Sequence, residues 1–383
     1  MNKIQTVSLQ ANILPVPTWR HLKMNGCALD ISYEQASFSP SKEMLALEKE
    51  GVLQRIPSIS RQGEEGQTSI GEPAIKIREY RENTQGQYLS SFVQEHNNTS
   101  LRVCIKEGQR RKEPLVMNYL FDEDNPTLIE SLVVDMEAQS SATLIRTLRT
   151  SPEGGSFFHA GSTRIHVGSH AKLTMLQLRY FDEGSVDLDE LSVTLDEKAT
   201  FTLVEIVMGS AQSYIDTHVT LQGFESKCLI GCMNVVASQG LADFNFHVEH
   251  MGVATNSSLL IRGALLDSAT KLFRGTIDFH TGCKGSKGSE DEYCVLLSPD
   301  VKNRSVPLIL CGEEDVEGSH AVSSGRLDHN ALFYLTSRGI DKKKAERLLV
   351  EAQLFPILSM VSDEHIRFAI QEELSRRLDS HAQ

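Results

Sequence analysis

The residues best suited to chemistry are histidines, cysteines and paired carboxylates, and their spacing limits what each can do. His247-Val248-Glu249-His250 offers two imidazoles around a carboxylate, donors that a zinc or iron ion accepts. On an alternating strand, however, residues three apart point to opposite faces, so one ion cannot collect both rings without a bulge. His166 and His170 are four apart, but Gly168 and Ser169 between them read as a turn. Cys228 and Cys232 share a face of a strand or helical turn and, with Leu229 and Ile230 between them, read as core thiols. No CxxC pair occurs, and the seven cysteines show no framework spacing, which fits reduced thiols and removes zinc-ribbon and thioredoxin-like readings. From Cys283 to His329 polar and soft-ligand residues concentrate, including Cys294, Cys311 and His320. Thiolate and imidazole suit iron, zinc or iron–sulfur ligation, yet scattered donors do not complete a site. On residue types alone, Cys294 reads as core and His320 as a turn.

Other chemistries lack their motifs. Gly282-Cys283-Lys284-Gly285-Ser286-Lys287-Gly288 has neither the glycine placement nor the Lys-Ser/Thr pair of a phosphate cradle, so no nucleotide is expected on this chain. No GxSxG elbow and no GxGxxG is present. Glu205 and Asp216 match a glycosidase acid pair by type only; such a pair must lie about 5 to 9.5 Å apart on a shared face. With a single tryptophan, Trp19, outside the repeat, stacking aromatics for a polysaccharide are missing.

The elements that must carry these residues belong to a globular chain of 383 residues with a net charge of −13. That charge disfavours nucleic acid and anionic membrane as partners. No run approaches the ~18 apolar residues of a membrane helix, and Met1 to Thr6 lacks the apolar core of a signal peptide, so the expected location is cytoplasmic.

Small or polar residues recur every 13 to 15 positions through Thr127, Ala142, Ser156, Ala171, Ser185, Ala199, Ser213, Lys227, Ala242, Ser257 and Thr270. Two positions beyond each stands an apolar residue, except at Asp187. The intervening residues alternate with period two, as in Ala242-Asp243-Phe244-Asn245-Phe246, which predicts strands. Proline is absent from Glu153 through Ser298, as expected of strands with neighbours on both sides. A closed barrel or sandwich also spaces strands regularly, but a solenoid with capped ends fits better. The expected organisation is a mixed, helical region over 1–90, a β-helix core over 91–325 and a helical module over 326–383. The first region includes a helix across Ser41–Glu48 and a polar loop from Arg61 to Gly71. In the last, Asp328 is the expected N-cap of one helix stopped by Gly339. Asp341 starts a second that runs to Pro356, and Ser362 caps a third.

The C-terminal third carries Ser319-His320-Ala321, Gly325-Arg326-Leu327-Asp328, Ala331-Leu332-Phe333-Tyr334-Leu335 and Ser337-Arg338-Gly339-Ile340. Together these resemble the C-terminal signature of the SufB/SufD iron–sulfur assembly proteins. Asn256 to Leu259, Arg262 to Asp267, Phe273 to Ile277 and Leu14 to Trp19 are similar to further parts of that family. The resemblance implies a mainly β protein, a right-handed parallel β-helix flanked by helical ends. It also implies a non-enzymatic scaffold that pairs with a SufB-type chain, docks a SufC-type ABC ATPase through its C-terminal helices, and shares a nascent, transient iron–sulfur cluster at the pair interface. Ala321, where the SufB type has glutamate, and the short chain match the SufD type, making His320 the expected iron ligand and interface residue. The chain departs from the SufD pattern at Gly318, where a cysteine is common. The SufB-type cysteine position falls on Tyr293, and a one-residue offset turns Cys294 to the other strand face. Three other readings stay open: a homodimer, a platform without cluster chemistry, and a carbohydrate-active β-helix enzyme.

Overall fold

The computed structural model describes residues 4–16, 24–34, 36–56 and 87–381. The loop expected at Arg61–Gly71 lies outside them, as does Trp19. The chain begins with an antiparallel pair, β1 (Ile4–Ala11) and β2 (Cys27–Glu34), then α1 (Lys42–Lys49), β3 (Leu53–Arg55), β4 (Gln87–Tyr88) and α2 (Leu89–His96). Helix α1 starts where the sequence predicts, with Ser41 Oγ accepting from Met44 N–H.

A long series of strands follows: β5 (Thr99–Ile105), β6 (Leu115–Phe121), β7 (Thr127–Met136), β8 (Ser141–Thr150), β9 (Phe158–Val167) and β10 (Lys172–Tyr180). It continues with β11 (Val186–Leu195), β12 (Thr200–Gly209), β13 (Gln212–Leu221), β14 (Lys227–Val236) and β15 (Leu241–His250). The last are β16 (Asn256–Leu265), β17 (Thr270–Phe279), β18 (Ser286–Leu296), β19 (Lys302–Cys311) and β20 (Val316–Gly325). Even-numbered strands from β6 to β20 form an 8-stranded sheet, and odd-numbered strands from β19 back to β3 form a 9-stranded one. Every pairing from β5 onward along the solenoid is parallel, as in Leu203↔Ile230↔Leu259, so the chain winds as a parallel β-solenoid of about eight turns. The 14-residue spacing is therefore one strand plus one corner, and two such units make a turn.

The corners explain the period. Gln139, His170, Lys198, Glu225 and Ala254 hold φ between 53° and 59°, a left-handed conformation that sharply redirects the chain. Each N–H donates to a carbonyl of the next rung, from Gln139 to Ser169, His170 to Glu197, Lys198 to Phe224, Glu225 to Val253 and Ala254 to Lys284. The ladder thus continues through the bend, which offsets the strain of a non-glycine residue there. Ala171 and Ala199, following two of these corners, are fully buried. Between corners, inward residues such as Phe201, Phe244, Phe246 and Phe273 fill the lumen; each contributes about 1.5–3 kcal/mol of burial free energy.

The two ends differ. At the start, Met44, Leu47 and Leu53 join the lumen core and close it, and Phe38 packs on Tyr119 and Phe121. At the far end, among the described residues, no strand pairs with the free edge of β19 or β20. Beyond them α3 (His329–Ser337), α4 (Lys342–Leu358) and α5 (Glu364–His381) follow. The last two fold back on the outer face of the even-numbered sheet, where Val350, Leu354, Ile357, Ile370 and Leu374 meet Ile206, Met233 and Val235. Asp328 caps α3 as predicted, α4 starts where expected with Asp341 as its N-cap, and Gly339 takes φ of 85° after α3. Two helix expectations are corrected. Pro356 lies inside α4 and does not end it, because Ile357 and Leu358 are anchored on the sheet and the forgone bond falls at the exposed Ala352. The carboxylate of Asp363, not Ser362, accepts from His365 and Ile366 N–H to start α5.

Candidate functional site at the open end of the solenoid

His320 lies on β20, the last strand of the even-numbered sheet. Register places it directly beside Glu290 of β18, with Gly318 beside Gly288 and Ser324 beside Cys294. Parallel partners share a face, so these β20 positions continue the inward-facing set of β18. With no further rung above among the described residues, the whole stretch from Glu317 to Ser324 is exposed. His320 is thus a lumen-side histidine at the uncovered mouth of the solenoid.

Just below it the lumen is polar. Glu290 is buried, and a Cβ on Gly275 would collide with its carboxylate; glycine at 275 is what admits it. Burial, then the neighbouring Glu292, pushes the Glu290 carboxyl up to about 8. Glu292 pairs with the buried Lys271 and accepts from Ser305 Oγ at 2.9 Å. Cys294, fully buried, faces Lys271; burial pushes its thiol up, and the ammonium opposes that only in part. A neutral buried thiol is a poor ligand or nucleophile. As the offset argument predicts, Tyr293 points outward against the C-terminal helices while Cys294 faces in.

Glu290 gives a pH-dependent stability. Its folded pKa lies above the unfolded value, so the folded state holds an extra proton between about pH 4.5 and 8 and stability falls as pH rises through that window. Glu290→Gln is expected to match wild type near pH 5 and to exceed it by on the order of 2–3 kcal/mol at pH 9, read by urea unfolding at both pH values.

The other sequence-predicted residues do not gather around His320. Cys283 is buried with Phe279 and Ile277, and burial raises its thiol. Cys311 is exposed at the end of β19, its Sγ donating to the Glu313 carbonyl at 3.1 Å. At Gly318 a Cβ would sit 3.1 Å from Phe279 and 3.3 Å from Ile309, so this packing favours glycine over the cysteine common in the SufD pattern. Cys228 and Cys232 are core thiols, raised by burial. His250 points inward, its ring nitrogens 2.7 Å from Thr255 Oγ1 and 2.8 Å from Ser257 Oγ, while His247 points outward. His170 is a corner residue, and His166 lies 3.1 Å from the half-buried Asp196. The carbohydrate-enzyme pair is corrected: Glu205 faces the lumen on Arg179, whereas Asp216 lies outside the opposite sheet, accepting from Asn245. No shared face holds both carboxylates.

What the sequence pattern missed is a buried ion network in the first half of the lumen. Arg146 binds Glu130 and, at 2.9 Å, Asp189. Arg179 binds Asp189, Asp187 at 3.0 Å and Glu205 at 2.6 Å. His159 Nε2 lies 3.1 Å from the Arg146 guanidinium, so it accepts, and Nδ1–H donates to Asp187 at 2.6 Å, fixing one neutral tautomer. Asp187, the one break in the apolar rule, was the available signal.

The fold is a parallel β-solenoid with one closed end, a histidine at the open end and a helical tail laid along one sheet. A family model described as "SUF system FeS cluster assembly, SufBD core domain" matches residues 119–353, and the chain belongs to that family of iron–sulfur cluster assembly proteins. The iron-sulfur cluster assembly protein SufD of Bacillus subtilis (strain 168) is 24% identical over 308 residues, covering 75% of this chain and 68% of the relative. SufD of Escherichia coli (strain K12) is 23% identical over 284 residues, covering 73% and 67%. Among the described residues no helix is long and apolar enough to cross a membrane.

Proposed function

We propose that this chain is a SufD-type scaffold subunit, non-enzymatic and cytoplasmic, that pairs with a SufB-type chain through its open end and shares a transient iron–sulfur cluster there. The observation carrying this reading is the uncapped last rung. Two free strand edges and a solvent-facing lumen are a liability that solenoids normally cover. A second β-solenoid offering its own terminal rung would cover both. His320 then becomes an interface residue able to ligate iron through a neutral ring nitrogen. The helical tail, with its outward aromatics, is the docking surface for a SufC-type ABC ATPase. The domain limits at 90 and 325 are proposed on the same division of labour.

The test is His320→Ala in the complex coexpressed with its SufB-type and ATPase partners. The ring is exposed, so folding and assembly should persist, while iron and acid-labile sulfide per complex fall at least about tenfold. Unchanged cluster content would overturn the ligand assignment and favour a platform without cluster chemistry, a reading that the tight fit at Gly318 in place of a thiol also supports. A stable pair of this chain with itself, unaffected by the SufB-type partner, would overturn the heterodimer.

A further inference from the structure

A second constellation stands on the outer face of the odd-numbered sheet, far along the strands from the lumen network. Register puts His218 of β13 beside His247 of β15, and Thr220 beside Glu249 beside Asp278 of β17 in the next column. These positions face outward, because Val219, Val248 and Ile277 between them are buried in the solenoid. His280, one residue past β17, turns to the same spot. His218 Nε2 lies 3.2 Å from Glu249 Oε2, and His280 Nε2 lies 3.4 Å from Glu249 Oε1. His280 Nε2 is also 3.3 Å from Asp278 Oδ2, and His247 Nε2 is 3.7 Å from the same oxygen. The rings of His218 and His247 stack with centroids 4.7 Å apart and an interplanar angle of 10°.

Two features go beyond proximity. The Nε2 atoms of His218, His247 and His280 are all buried, yet none has a properly aligned hydrogen-bond partner, and His247 as a residue is only 9% exposed. Buried ring nitrogens rarely stay unsatisfied, least of all three at one spot. The second is the spacing. Ligands about 2.0–2.2 Å from a tetrahedral ion sit about 3.3–3.6 Å from each other. The separations here, 3.2 to 3.7 Å, bracket that edge length. Short separations without aligned hydrogen bonds suit donors gathered around an ion.

We propose that His218, His247 and Glu249 bind a first-row divalent transition-metal ion on the flank of the solenoid, with Asp278 and His280 completing the donor set on the far side of Glu249. Donor atoms within each of the two overlapping triads, His218–His247–Glu249 and Glu249–Asp278–His280, lie within 4.8 Å of one another. Imidazole mixed with carboxylate suits Zn²⁺, Fe²⁺ or Co²⁺, whereas Ca²⁺ and Mg²⁺ prefer all-oxygen sites. The site is independent of His320, on a different sheet and a different face.

The test uses the full chain, stripped with chelator and titrated with Co²⁺ by visible absorption and with Zn²⁺ by calorimetry. About one equivalent should bind, with ligand-field bands that Zn²⁺ abolishes and Mg²⁺ does not. Glu249→Gln and His218→Gln should each weaken binding about 10- to 100-fold, and His320→Ala should leave it unchanged. His218 has a partly exposed side chain, so His218→Gln should fold even if Glu249→Gln does not; circular dichroism checks both. Absent bands, affinity unchanged in His218→Gln, or binding lost in His320→Ala would overturn the assignment.

Discussion

Arg179→Ala should cost about 3–5 kcal/mol of folding stability at pH 7, among the largest effects any single substitution in this chain produces. The guanidinium is fully buried and binds Asp187, Asp189 and Glu205 together. Removing it leaves three carboxylates in the lumen with Arg146 as the remaining guanidinium, and an uncompensated buried charge is the expensive case. In the intact protein the two arginines hold the Asp189 carboxyl well below the usual range, although burial acts the other way. Glu205 is different: burial outweighs Arg179 and pushes its carboxyl up to about 7. Without Arg179 the folded-state pKa values of Asp189 and Glu205 must rise. The variant's folded state then holds more protons than its unfolded state, so its deficit should shrink as pH falls toward 5. Urea unfolding of both proteins at pH 5 and 7 measures this. A deficit under 1 kcal/mol at pH 7, or one that grows on acidification, would refute the network's role. Arg179→Lys should recover only part of the loss, since a point charge cannot serve three carboxylates as a fork does.

That network also shows where sequence reading stops. The strand period was legible because each corner imposes the same left-handed bend and the same small inward residue, and these are local properties. The cap at Asp328 and the helix starts near Ser41 and Asp341 were legible for the same reason. Contacts between rungs were not. In a solenoid a side chain meets partners two or three strands away, as His218 of β13 meets His247 of β15 and Arg146 of β8 meets Asp189 of β11 across the lumen, and no window of one strand contains both. Parity arguments nevertheless held: His247 and His250 do face opposite ways, and so do Tyr293 and Cys294. Parity says which face a residue takes, while register, which decides what it meets there, emerges only when the corners are counted in space. The open end is a further case, since the exposure of His320 depends on the absence of a next strand and not on its own neighbours in sequence.

Truncating the outward aromatics of the helical tail should remove ATPase binding while sparing the fold. Helix α3 has no buried residue, and Phe333 and Tyr334 on it are 74% and 57% exposed. Phe355 on α4 and Phe368 on α5 are 54% and 60% exposed, although the opposite faces of those helices are anchored to the sheet by Leu354, Ile357 and Ile370. Scattered exposed hydrophobes are ordinary, but four large aromatics on one three-helix tail form the sort of anchor set that dominates interfaces. Among the described residues, the one ring contact that shields any of them is Arg338 over Tyr334 at 5.1 Å. Truncating an anchor costs about 2 kcal/mol or more of binding, roughly a 30-fold weaker Kd. Phe333→Ala with Phe355→Ala should therefore abolish copurification of the ABC ATPase and leave the melting temperature within a few degrees of wild type. Leu354→Ala is the contrasting variant: its side chain is fully buried against the sheet, so it should destabilise the chain by about 2–5 kcal/mol. Undiminished pull-down by the aromatic double variant would sink the docking assignment. Loss of binding accompanied by unfolding would show that these rings pack inward in the assembled protein, which refutes their role as exposed anchors.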